Sequence, residues 1–299
     1  MAHSIGLKFH GVRAIHPVPA RENQSIGGNT SCIELVDSET RIFVNAGFGI
    51  SQVGTHILAE RNRGIFGLET NILFTDFLWD SIMGLTSFAP LHHTDAKINI
   101  FTGGPTHFAQ AALDEVTSNL FSPFDGLSNM AAKTSFTEVQ TAIQIGAWII
   151  SSIVLDNDLT DGGSSVWRLK HLRSGDDIGI ALLCNTETKT LKKLTSFFRG
   201  CQTIVCGATN PANNGMIDKN RMGFQDALNL ALATSSQSLV LTHFHPSQSD
   251  IELQGEFLDL QTRLNIINQR NNNFPLDIRL ATELSERPLM SSQALKLVV

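Results

Sequence analysis

Residues 71–85 read NILFTDFLWDSIMGL. The run from Asn71 to Phe74 is apolar enough for a buried strand, and the polar residues after it mark a turn. A helix is expected to start near Asp80. A strand that hands a loop to the end of a sheet is a common seat for functional side chains. This loop carries two carboxylates, Asp76 and Asp80. Taken alone they read as a solvated loop acid and a helix N-cap.

Outward from that stretch the pattern alternates. Ile5 to Val12 reads as a strand, and Pro17 and Pro19 force an extended loop after it. Gly27-Gly28-Asn29 is a tight turn. Ser31–Val36 and Arg41–Asn45 form a hairpin, and Ser51–Asn62 is an amphipathic helix. Ile98–Phe101 is a strand, and Pro105–Leu120 a helix. Ala147–Leu155 and Ser165–Leu169 are strands split by a turn at residues 156–163. Leu191–Phe198, Met222–Ala233 and Asp250–Gln269 read as helices. Thr203–Cys206, Ser238–Leu241 and Asp277–Ala281 read as strands, with a loop at Asn271 to Pro275 before the last. Strands alternating with helices in two halves, about 1–145 and 146–299, suit an α/β chain with two mixed sheets face to face and helices outside. One domain of 1–299 is expected.

The chain has 299 residues, 42% of them hydrophobic and 17% charged, with net charge −6. That balance argues against a general nucleic-acid-binding surface. The four cysteines, Cys32, Cys184, Cys201 and Cys206, form no CxxC pair and read as reduced thiols of a cytoplasmic protein. No apolar run approaches the ~20 residues of a membrane helix. Tyrosine is absent, which removes the phenol as acid, nucleophile or oxyanion donor.

Thr75, Trp79, Asp80, Ile82, Gly84, Leu85 and Pro90 fall where the first metal motif of the metallo-β-lactamase-fold hydrolases has its residues. That pattern is Thr-His-x-His-x-Asp-His-Ile-x-Gly-Leu, which this stretch resembles. Gly11-Val12-Arg13, Pro17-Val18-Pro19 and Gly27 to Cys32 are similar to the N-terminal GVRGSxPVP and GGNTSC pattern of one subfamily, with phosphodiesterase-like members and the tRNA-trailer endonuclease. The resemblance spans about Gly6 to Leu260. It implies a metallo-β-lactamase-like αββα sandwich. It also implies where a dizinc site would lie: Asp76, Leu78, Asp80, Ser81, His171, Asn185 and His243 stand at the ligand positions.

Three of those positions hold residues that bind zinc poorly. Leu78 has no donor, and Ser81 and Asn185 are neutral. The carboxylate before Ala46-Gly47 is Asn45, and an expected acid is Gly207. Arg221 stands where the family has a histidine for the leaving group, and His245 where it has an acid. The resemblance therefore implies a pseudoenzyme: a binding, scaffolding or regulatory module with no catalytic residue, no metal and no cofactor. Arg221 is a candidate anion contact, with His171 and His243 as further donors. A protein partner or self-association is expected, since the family often dimerises, while membrane and nucleic acid are not. The alternative is a residual phosphodiester hydrolase with one Mn, Mg or Zn ion on Asp76, Asp80, His171 and His243. His92 and His93 read as surface loop.

Overall fold

The computed structural model describes residues 5–37, 39–123, 125–209, 221–270, 276–283 and 286–288. Asn210, Asn220 and the loop read at Asn271 to Pro275 lie outside them. The first sheet has the order β14 (Glu286–Pro288), β1 (Gly6–Gly11), β2 (Cys32–Val36), β3 (Ile42–Val44), β4 (Glu69–Leu73), β5 (Lys97–Thr102), β6 (Lys133–Glu138). The second has β13 (Asp277–Leu280), β12 (Ser238–Thr242), β11 (Thr203–Gly207), β10 (Asp177–Ala181), β9 (Ser164–His171), β8 (Trp148–Leu155), β7 (Ile143–Ile145). Six α-helices are described: α1 (Ile50–Asn62), α2 (Trp79–Ile82), α3 (Thr106–Thr117), α4 (Thr188–Phe197), α5 (Phe224–Thr234) and α6 (Asp250–Arg270). None of the described helices is long and apolar enough to cross a membrane.

Side chains alternate across each strand, and both faces of the central strands are covered. On β3, Ile42 and Val44 face the other sheet and join Trp148, Ile150, Trp167 and Ile180 in one core. Phe43 points the other way, into a second core with Ile50 and Val53 of α1 and Leu113 of α3. β3 to β6 run parallel, as do β10 to β13. The carboxyl ends of both parallel blocks meet at one end of the sandwich, the mouth.

Four strands escape the sequence reading, and each has a physical reason. β6 (KTSFTE) is a polar edge strand whose Phe136 alone packs against the core. β10 (DIGIA) carries Gly179, where a Cβ would lie 2.6 Å from the Phe198 ring. Close helix–sheet approach demands glycine there and breaks the apolar run. β7 and β14 have only three residues each. They also cross the expected halves: β7 begins the second sheet at Ile143, and β14 returns to the first.

A buried ionic cluster ties the N-terminal loop to α6. Arg13 is fully buried. Its Nη2 donates to Asp250 Oδ1 at 2.9 Å, its Nη1 to the Gln248 carbonyl at 2.6 Å and its Nε to the Gly27 carbonyl at 2.7 Å. Asp250 Oδ2 accepts the Ser25 and Ile26 amides at 2.7 and 2.9 Å. Nearby, Glu283 accepts the Asn29 amide at 2.6 Å and Asn29 Nδ2 at 2.9 Å. Burial outweighs these bonds and the Arg13 charge, and pushes the Glu283 carboxyl up to about 7. A carboxyl raised in the fold stabilises it fully below its unfolded value, and that contribution is lost as pH rises through about 7. Glu283→Gln should therefore flatten the fall in Tm between pH 5 and pH 8, which calorimetry at the two pH values would read; an unchanged slope would contradict it.

Candidate functional site

The mouth is built from loops after β1, β3, β4, β8, β10 and β12. Three residues there hold left-handed backbone without being glycine: Ile15 (φ 67°), Asn45 (φ 61°) and His243 (φ 57°). Such strain persists only where the surroundings impose it, and it concentrates at functional loops. For β-branched Ile15 it is especially unfavourable. Its amide nevertheless reaches Asp80 Oδ2 at 2.8 Å.

Asp76 and Asp80 are both buried, each 2% exposed. This corrects the reading of Asp76 as a solvated acid and Asp80 as an N-cap; Leu78 occupies the N-cap position of α2. Asp80 Oδ2 lies 3.0 Å from His243 Nε2, across 163 residues of chain. His243 Nδ1 lies 3.3 Å from the Leu182 carbonyl. Burial pushes Asp80 up, but the bond to His243, its charge, the Ile15 amide and the nearby Arg221 charge outweigh it, leaving the carboxyl below its ordinary value. Asp76 goes the other way: burial first, then the Asp80 charge, raise it. The two neighbouring carboxylates are thus shifted in opposite directions, Asp76 up and Asp80 down.

Asp76 spends its oxygens on its own loop. Oδ1 accepts Ser81 Oγ at 2.8 Å and the Leu78 amide at 3.0 Å, and Oδ2 accepts Thr75 Oγ1 at 2.8 Å. Asn45 completes the net. Its Nδ2 donates to Thr75 Oγ1 and Ser81 Oγ at 2.8 and 3.1 Å, while its Oδ1 accepts the Thr75 amide at 2.9 Å. An aspartate at residue 45 could not donate those two bonds. Behind the loop, Gly47 and Gly84 press backbone on backbone: a Cβ on Gly47 would lie 2.5 Å from the Asp80 carbonyl, and one on Gly84 2.1 Å from the Gly47 carbonyl.

His171 is not part of the mouth, which corrects its assignment as a ligand. The Ser165 amide donates to the Thr75 carbonyl at 2.6 Å, so β9 starts at the mouth and runs away from it. His171 ends that strand, seven residue steps from Ser164, or roughly 23 Å at ~3.3 Å per residue. There it packs against Trp148. The four-donor set Asp76, Asp80, His171 and His243 therefore does not assemble. Asn157 stands at the mouth instead, just beyond β8, with Nδ2 on Ser164 Oγ at 2.9 Å. Asn185 joins it there, donating to the Asp156 carbonyl at 3.3 Å. Leu78 is half-buried and offers no donor. Arg221 is half-buried and close enough to Asp80 to act on its charge. Gly207 leaves no room for an acid: a Cβ would lie 1.9 Å from the Leu182 carbonyl.

The donors that do meet, Asp76, Asp80 and His243, do not suit a zinc ion. One carboxylate is fully engaged by its loop, and the other is bonded directly to the imidazole. Among the described residues, no group of three His, Cys, Asp or Glu side chains could hold a metal ion. All four cysteines are buried and free. Burial raises the Cys184 thiol to about 12, far from the thiolate that metals bind. His92 is exposed on a short 3₁₀ turn (Ala89–His92), with His93 beside it. Because Asn45 makes several buried bonds, Asn45→Ala should cost about 2–4 kcal/mol, on the order of two stranded polar groups, read as a shift in the urea midpoint; no shift would mean that the net is incidental.

No family model matches the chain, and no curated protein does. Solved structures do. Yeast PDE1 superposes with a TM-score of 0.66 at 14% identity, over 96% of this chain and 100% of its own. The metallo-β-lactamase fold protein YhfI from Bacillus subtilis gives 0.64 at 12% identity, over 95% and 98%. The short form of human tRNase Z gives 0.60 at 14%, over 96% and 99%. At these identities the likeness speaks for architecture: the chain has the metallo-β-lactamase fold, a two-sheet α/β sandwich with helices outside.

Proposed function

We propose that this is a catalytically retired metallo-β-lactamase-fold protein, one domain in extent, kept in the cytoplasm as a binding or regulatory module. One observation carries the reading. The direct Asp80–His243 contact at 3.0 Å takes up donors that a catalytic cation would need on separate sides of itself. A catalytic zinc wants about three protein ligands and an open position for water. Here one imidazole and two carboxylates are already spent on each other, on backbone amides and on hydroxyls.

The rim of the mouth supports binding rather than hydrolysis. Ile15, Phe48 and Trp79 are 37%, 42% and 49% exposed, each within three residues of a group that lines the mouth. Exposed apolar side chains beside a buried polar cluster suit a protein partner or a second copy of this chain. Arg221, whose charge already reaches Asp80, would supply donors to an anionic group of such a ligand. Nucleic acid is disfavoured by the net charge of −6.

The test is metal content by plasma emission after dialysis against zinc, manganese or magnesium, paired with turnover of a generic phosphodiester. The expected result is far less than one ion per chain and no turnover above buffer. Stoichiometric metal with hydrolysis abolished by Asp80→Ala would overturn the proposal.

A further inference from the structure

The end of the second sheet opposite the mouth holds a separate cluster of polar side chains. β9 ends at His171 and β10 begins at Asp177, and residues 172–176 join them. Ser174 is half-buried in this turn, with its hydroxyl 3.0 Å from His171 Nδ1. The Ser174 amide points at the same nitrogen, at 3.2 Å. An amide can only donate, so Nδ1 is the unprotonated nitrogen of a neutral imidazole. The ring proton then sits on Nε2, which faces Asp37 Oδ2 at 3.9 Å. Ser174 Oγ accepts the Asp176 amide at 3.3 Å, which leaves its own proton for Nδ1. Trp148 fixes the far side: its Nε1 donates to Asp37 Oδ2 at 3.0 Å, and its ring lies 4.8 Å from the imidazole.

The charges around His171 act in both directions. Burial is the largest influence and lowers it, as does Arg173, while Asp37, Asp176 and Glu39 raise it. The net is downward, so the ring stays neutral near pH 7 and able to accept a proton.

We propose that Ser174 is an activated nucleophile, with His171 as its base and the nearby Asp37 charge favouring the imidazolium that forms, and that it takes acyl groups from small carboxylic esters. In that step the Oγ–C bond forms as the Oγ proton moves to Nδ1. The ester C–O bond breaks, and the alcohol leaves with that proton. Water then attacks the acyl-serine with the same imidazole as base, releasing acid and restoring the hydroxyl. A cavity of about 400 Å³ is lined in part by Glu39, Thr40, Arg41, Phe66, Ile145 and Gly146 and by none of the turn's own residues. The turn is tied to it through the Arg173–Glu39 ion pair at 2.6 Å and the Leu172 amide on the Ala147 carbonyl. The Gly175 amide is engaged by the His171 carbonyl and the Asp176 amide by Ser174 Oγ. Neither stabilises an oxyanion, so turnover is slow and a stable adduct is the better readout.

The experiment treats the full chain with excess alkyl fluorophosphonate and maps the adduct by peptide mass spectrometry. Here Oγ–P forms, P–F breaks, fluoride leaves, and the Oγ proton passes through His171 to solvent. The expected result is one adduct per chain, at Ser174, absent in Ser174→Ala and formed at least about tenfold more slowly in His171→Gln. Circular dichroism establishes that the variant is folded; if it is not, Asp37→Asn takes its place, with a slower rate expected. No adduct at Ser174 in the unaltered chain, or an unchanged rate in the folded variant, overturns the proposal. The readout does not involve metal content, so its outcome is separate from that of the mouth.

Discussion

The contact between Asp80 and His243 holds the mouth together. One residue follows β4 in the first sheet and the other follows β12 in the second, so this 3.0 Å bond, with that of the Ser165 amide to the Thr75 carbonyl, joins the two halves of the sandwich at the mouth. Both side chains are almost fully buried. A pair in that position is costly to break, because removing either partner strands the other; the penalty is typically about 3–5 kcal/mol. The Ile15 amide adds a third group to the same carboxylate oxygen. The strained backbones at Ile15 and His243 are held by this cluster and in turn aim it.

The residues around the pair form a consistent chemical set. Asn45, Thr75, Asp76 and Ser81 close a net in which each donor has an acceptor, as a buried polar cluster must. Its members can donate to one another only because residues 45 and 81 are neutral. A carboxylate at 45 or an imidazole at 81 would leave Asp76 with fewer partners and a stronger need for a cation. The glycine contacts behind the loop and the apolar cores above and below it are indifferent to that choice. Fold stability resides in those cores, so the floor of the mouth could change its chemistry without disturbing the architecture.

Much of this was legible in the sequence, and the exceptions are instructive. The buried run before Thr75 and the glycines after Asp80 identify the strand, the loop and the short helix, because local chemistry dictates them. The pairing of Asp80 with His243 follows from the motif order. The placement of His171 does not, because the direction of a strand relative to the mouth depends on pairing with β8 and β10, which no local pattern encodes. Asn157 carried the same signal that singled out Thr75 to Asp80, a long apolar strand ending in polar residues, and could have been found by it. The Arg13–Asp250 pair had no such signal, since its members are 237 residues apart and nothing in the pattern around Arg13 points to Asp250.

Electrostatics bear on what the mouth could bind. Two exposed carboxylates would repel an anion and attract a cation. Here burial and the Asp80 charge raise the Asp76 carboxyl, while the His243 bond and charge, the Ile15 amide and the Arg221 charge outweigh burial and hold Asp80 below its ordinary value. Each carboxylate is thus answered by donors of the floor itself. A floor whose carboxylates and imidazole already bond one another and their own loops has fewer lone pairs to set in place of a metal ion's hydration shell.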